Sequence, residues 1–158
     1  MKKIAILTLV LVCAFTLFAC ESNAKPTQIG ASDFSIILPE GYKLTEDDFD
    51  EDQIAYYYKD DNSIDFDVYQ WEKSDDYTLE SEANDYANAY GTVAEAVTVN
   101  GIKGMKYVSR EEYEGTTYTV VNYMFEDSTY IVELCFWTDD SAEEHAAVDE
   151  IINTLKKN

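Results

Sequence analysis

The octet Ile64-Asp-Phe-Asp-Val-Tyr-Gln-Trp71 alternates without a break, with Ile64, Phe66 and Val68 on one side and Asp65, Asp67, Tyr69 and Trp71 on the other. Period-two alternation predicts a strand with one face in a core. Upstream, FSIILP closes on the turn signal Pro39-Glu-Gly41 and leads into Tyr42-Lys-Leu44, read as a first strand and a bend. QIAYYYK over 53–59 has strand propensity throughout. The period then changes: Leu79, Ala83, Tyr86, Ala87 and Tyr90 form the stripe of an amphipathic helix, with Thr78 as N-cap and Gly91 as stop. Four further strands are predicted over 93–99, 102–109, 116–125 and 130–138. They are joined by Asn100-Gly101, Glu114-Gly115 and residues 126–129. Asn-Gly is the strongest short hairpin signal, so these strands form an antiparallel meander. A last helix begins at the capping-box pattern Ser141-Ala-Glu-Glu144 and buries Val148, Ile151, Ile152 and Leu155, with Lys156 and Lys157 at its C-terminal end.

The predicted order is β-β-β-α-β-β-β-β-α. Its last strand, YIVELCFW, is apolar on both faces. A strand of that kind needs cover on both sides, which places it centrally in a mostly antiparallel sheet with helices on both faces, an α+β fold.

The N-terminus has a separate logic. Lys2 and Lys3 precede an apolar run from Ile4 to Phe18, shorter than the about 20 residues of a membrane-spanning helix. That is the pattern of a secretory signal peptide. Its end, Leu17-Phe18-Ala19-Cys20, resembles the lipobox of bacterial lipoproteins, in which the cysteine is lipidated and becomes the new N-terminus. The expectation is a signal peptide over 1–19, a lipid on Cys20, a flexible tether to Ser32 and one domain over 33–158. The partner at that end is the membrane, on the extracytoplasmic face. Cys13 does not compete, because β-branched Val12 stands where a small residue is wanted.

Charge narrows the partners. The chain carries 32 acidic against 11 basic residues, a net −21, and loss of Lys2 and Lys3 makes it more negative still. Nucleic acid and anionic lipid heads are repelled by such a surface. With Cys20 committed to lipid, Cys135 has no disulfide partner in the domain, so hydrophobic burial must hold the fold together.

With the elements placed, FSIILPEGYKL, a mid-chain helix, VNGIKGMKY leading into a meander, and a closing IINTLK are similar to the PsbP-like fold over about residues 33 to 157. The resemblance implies an α/β/α sandwich and a non-enzymatic binding or assembly role. It carries no catalytic motif and no cofactor.

Candidate chemistry is sparse. His145, the one histidine, falls in the first turns of the last helix, and Cys135 lies mid-strand without a histidine beside it, so a buried structural thiol is expected. Glu133 shares a face with Ile131 and Cys135; either it pairs with Arg110, Lys106 or Lys103, or it reaches the sheet edge, or it is a functional carboxylate. Asp48, Asp50 and Asp52 follow the D-x-D-x-D start of a calcium loop. The turn glycine is replaced by Gln53 and the bidentate glutamate by Lys59, which leaves a weak cation site or a solvated acidic loop. Tyr56, Tyr58, Tyr69 and Trp71 form an aromatic candidate surface for a carbohydrate or peptide unless a helix covers them. Glycine-rich phosphate loops, zinc spacings and nucleophile elbows are absent. The expected function is a membrane-anchored, non-catalytic binding or assembly factor of unknown partner, a protein or a small solute. The rival is a solute- or cation-binding lipoprotein serving a transporter. A concave aromatic pocket favours the rival, and a flat patch favours a protein partner.

Overall fold

The structure, a computed structural model, describes residues 25–45, 51–60 and 64–158. Its centre is a seven-stranded antiparallel sheet. In spatial order the strands are β3 (Lys43–Thr45), β4 (Gln53–Tyr58), β5 (Asp65–Glu72), β9 (Tyr130–Thr138), β8 (Thr116–Glu126), β7 (Ile102–Tyr113) and β6 (Glu95–Val99). The doubly apolar strand β9 is the middle one, as its composition requires. Two two-residue turns build the β6–β7–β8 meander. Asn100 and Gly101 (φ 50° and 81°) and Glu114 and Gly115 (φ 49° and 79°) both adopt the left-handed pairs that match strand twist.

One face of the sheet carries the larger core. Phe66, Phe125, Leu134 and Phe136 are fully buried there against Val148, Ile151 and Ile152 of helix α2 (Ala142–Ile152). The Phe66 and Phe136 rings lie 4.8 Å apart, and Tyr57 stacks on Phe66 at 4.9 Å. The other face packs Met105, Tyr107, Met124 and Ile131 against Leu79, Ala83 and Ala87 of helix α1 (Leu79–Ala89). Helices therefore cover both faces, and the fold is α+β. Among the described residues no helix is long and apolar enough to cross a membrane.

Three expectations are corrected. The first predicted strand and its bend divide between two sheets: β2 (Phe34–Ile36) leaves the main sheet and pairs with β1 (Thr27–Gln28) on one side and β10 (Lys156–Lys157) on the other. This small sheet caps the α2 face, with Phe34 and Ile36 buried in the same core and the Phe34 ring 6.1 Å from Phe125. The tether expectation consequently fails for its last residues. Thr27 and Gln28 are paired, and Ile29 and Ser32 are buried, because Ile29 fills the core while the Ser32 hydroxyl donates to the Ile29 carbonyl at 2.7 Å. Lys156 and Lys157 are strand rather than helix terminus. Helix α2 ends at Ile152, where the Asn100 side-chain amide donates to the carbonyls of Asn153 (2.7 Å) and Leu155 (3.0 Å). Leu155 is buried all the same.

Both helix starts follow the sequence, with one difference. Thr78 and Ser81 make the reciprocal box at α1. At α2 the Ser141 hydroxyl accepts from the Glu144 amide at 3.2 Å, but the Glu144 carboxylate turns to the amide of Asp139 instead of closing the box.

Candidate functional site

Register decides what meets on the α1 face. Tyr107, Asn122, Cys135, Asp67 and Tyr56 lie directly opposite one another across β7, β8, β9, β5 and β4, and neighbouring rows carry Glu133 with Tyr69 and Trp137 with Asp65. Helix α1 packs over the end of this face that holds Met105, Met124 and Ile131. Beside it the sheet stays open as a cavity of about 390 Å³, walled by Tyr69, Trp71, Tyr86, Tyr90, Tyr107 and Trp137. That volume lies in the lower part of the range for small-molecule sites. Five carboxylates also line it: Glu51, Asp52, Asp67, Glu111 and Glu133. None of its described lining residues is basic.

Glu133 sits in the floor with 5% of its surface exposed and accepts a 2.6 Å hydrogen bond from the Tyr107 hydroxyl. Burial pushes its carboxyl from 4.5 up to about 7. The Glu111 charge adds to the rise, and the Tyr107 hydroxyl and the Cys135 thiol oppose it. The pairing with Arg110, Lys106 or Lys103 is therefore replaced by a neutral hydroxyl. Lys106 alternates to the opposite face, where its ammonium lies 5.0 Å from the Tyr123 ring. Lys103 lies at the far end of the α1 face beside Thr78 and Leu79.

Asp67 is buried as well. It accepts from Gln53 Nε2 at 2.6 Å and from the Trp137 indole, which fixes that ring in the wall. Burial raises its carboxyl despite the indole bond, and the Glu111 and Asp65 charges raise it further. The Cys135 thiol is buried, as expected. Burial first, then Glu133, Asp67 and Glu111, hold it well above the ordinary thiol range. Tyr107 is raised too, by burial and by Glu133.

A second compartment of about 400 Å³ adjoins the first and shares Asp67 and Trp137 with it. Tyr56, Asp65, Tyr113 and Tyr118 complete its lining. The Tyr56 hydroxyl donates to Asp65 Oδ2 at 2.7 Å, whereas Asp65 Oδ1 is buried with no hydrogen-bond donor. Tyr118 meets Trp137 edge-on at 5.8 Å.

The structure thus joins candidates that the sequence kept apart. Tyr69 and Trp71 line the first cavity together with Asp52 from the acidic loop, and Tyr56 lines the second. Tyr58 stays outside both, stacked on Tyr56 at 5.8 Å and 5.7 Å from the Lys43 ammonium. Asp48, Asp50 and Cys20 lie outside the described residues. Among those that are described, no three histidine, cysteine or acidic side chains stand close enough to hold a metal ion. His145 is half-exposed, bonds Asp140 at 2.8 Å and lines neither cavity. Tyr86 and Tyr90, predicted as core stripe, instead stand 40% and 48% exposed at the cavity mouth, with Tyr86 5.9 Å from the Trp71 ring and Tyr90 stacked on Tyr107.

No family model and no curated protein sequence matches this chain. Solved structures do. The cyanobacterial PsbP protein CyanoP of Synechocystis sp. PCC 6803 is similar with a TM-score of 0.68 over 90% of this chain and 99% of that one, at 12% identity. LpqN, involved in cell envelope biogenesis of Mycobacterium tuberculosis, is similar with a TM-score of 0.56 over 87% of this chain and 86% of its own, at 11% identity. A Bacteroides thetaiotaomicron protein matches with a TM-score of 0.60 and 18% identity over 85% of this chain but 48% of the other, so this chain spans about half its length. At such identities the likeness is one of fold. The fold is PsbP-like.

Proposed function

We propose that this protein is a non-catalytic binding protein of the extracytoplasmic face, held to the membrane by lipid on Cys20, with the cavity beside α1 as its ligand site. The observation that carries the reading is that cavity: about 390 Å³, aromatic-walled and floored by the strands of the main sheet. Being concave rather than flat, it favours a small solute over a protein surface. Covalent chemistry on a bound solute would need a thiolate with a histidine base beside it. The thiol at hand is held protonated, and the histidine is bonded to Asp140 at the start of α2. The anchor rests on Leu17-Phe18-Ala19-Cys20, and an extracytoplasmic role is in keeping with LpqN, a fold neighbour involved in cell envelope biogenesis.

Trp71 and Trp137 are the two tryptophans of the sequence, and both line the cavity, so intrinsic fluorescence reads its occupancy. Titration with amines, sugars, amino acids and short peptides is expected to give a saturable change for at least one class. Emission unchanged by every class would refute the binding role. Cys20→Ala is expected to abolish lipid labelling and release processed protein from the membrane; a variant that labels and fractionates like the wild type would refute the anchor.

A further inference from the structure

A ligand class follows from how charge, rings and shape combine, taking the proposed binding role as its premise. The two compartments adjoin at Asp67 and Trp137, which line both. Each contains carboxylates, and none of the described lining residues of either is basic. Buried carboxyls are ordinarily paired with a cation or strongly hydrogen-bonded. Glu133, 5% exposed, has only the neutral Tyr107 hydroxyl and Cys135 thiol for this purpose, and Asp65 Oδ1 is buried with no donor at all. The described lining of both compartments therefore lacks positive charge; the N–H groups of Gln53 and Trp137 are spent on Asp67, and none reaches Glu133 or Asp65 Oδ1. The rings supply the complementary part: aromatic faces attract cations within about 6 Å of their centroids and accept methylene groups as apolar surface.

The spacing of the acids narrows the class further. Glu133 lies opposite Tyr69, Asp67 is one same-face row on, and Asp65 is one row beyond that. Same-face positions on one strand are about 7 Å apart, and diagonal neighbours on adjacent strands about 7–8 Å. Two ammonium groups separated by four methylenes are joined by five single bonds of about 1.5 Å each, and lie about 6 Å apart when extended. We infer that the site takes a linear di- or polyamine, with successive ammonium groups at Glu133, Asp67 and Asp65 and the methylenes along Trp137 and the tyrosine rings. A lone quaternary ammonium would fill the first compartment and leave the second without a cation. A metal ion would gain nothing from the aromatic walls.

Tryptophan fluorescence, with calorimetry as a second readout, tests this on the full chain at physiological salt. The probes are 1,4-diaminobutane, spermidine, n-butylamine and 1,4-butanediol. The diamine and spermidine are expected to bind at least tenfold tighter than butylamine, and the diol not measurably. Glu133→Gln should weaken diamine binding at least tenfold. Asp65→Asn should weaken spermidine, whose third ammonium it would hold, but leave the shorter diamine and butylamine nearly unchanged. Glu143→Gln, which removes a charge from the exposed start of α2, should leave diamine affinity as it is; circular dichroism checks that each variant folds. Equal binding of butylamine and diamine, or diamine binding indifferent to Glu133→Gln, or spermidine binding indifferent to Asp65→Asn, or diamine binding as sensitive to Glu143→Gln as to Glu133→Gln, would overturn the inference. So would a sugar or amino acid occupying the cavity in place of amines, although the proposed binding role would then stand. A cavity silent to every solute class would overturn both.

Discussion

Replacing Glu133 by glutamine should make the protein more stable, by an amount that depends on pH. Burial pushes the wild-type carboxyl up to about 7 in the fold, from the ordinary 4.5 that it regains on unfolding. Between those values the folded chain holds a proton that the unfolded chain has released, so wild-type stability falls as pH rises through this window. Above it the full penalty is present: a shift of this size corresponds to about 3 kcal/mol for a group so thoroughly buried. Below about pH 4.5 both states are protonated and the penalty vanishes. Glutamine keeps the volume and can still accept from the Tyr107 hydroxyl, so little packing is lost. Urea titrations of both proteins at pH 4.5 and pH 8 read the difference directly. The variant should match the wild type at the lower pH and exceed it by about 2–3 kcal/mol at the higher, or roughly 10 °C in Tm for a domain of this size. The groups around Glu133 are common to both proteins and largely cancel: Tyr107 and Glu111 on β7, Cys135 on β9, Asp67 on β5, and Tyr86 and Tyr90 on α1. A variant that is less stable at pH 8, or a difference that does not vary with pH, would refute the reasoning.

Two other substitutions probe the frame that carries the site. Leu134→Ala removes a fully buried side chain from the central strand and should cost about 2–5 kcal/mol by denaturant titration; a loss below about half a kcal/mol would mean that β9 is not in the core. Gly104→Ala would set a methyl group 2.6 Å from the Met124 carbonyl oxygen and 2.5 Å from the Phe125 ring, contacts too close for a β-carbon. The β7–β8 pair would have to shift, at a cost of about 1–3 kcal/mol in thermal unfolding, and unchanged stability would contradict the close approach.

Local pattern made much of this fold legible. The alternation of 64–71, the double-sided YIVELCFW and the Asn-Gly turn each fix an element with short-range information, and all three stand where they were expected. Ile29 was not legible, because a single large apolar residue in a mostly polar dozen has no period, and its burial depends on β2 leaving the main sheet. The site was half legible. Alternation put Asp67, Tyr69 and Trp71 on one face and marked Glu133 as a carboxyl among apolar neighbours. The partner of Glu133 is 26 positions away in sequence, and only the combined register of β7, β8 and β9 brings the Tyr107 hydroxyl to it. Tyr86 and Tyr90 fit a helical stripe, but α1 covers only part of the sheet, so its last turns overhang a cavity instead of a core.

The two indole N–H groups give the most direct test of the cavity as a binding site. In a proton–nitrogen correlation spectrum the Trp71 and Trp137 indoles form two isolated peaks, and Trp137 donates to Asp67 where the compartments meet. Addition of 1,4-diaminobutane at physiological salt should move both peaks in a saturable way, together with the amides of Tyr107, Glu133 and Cys135. Shifts confined to the exposed acidic first turns of α1 and α2, with both indoles unmoved, would contradict the account.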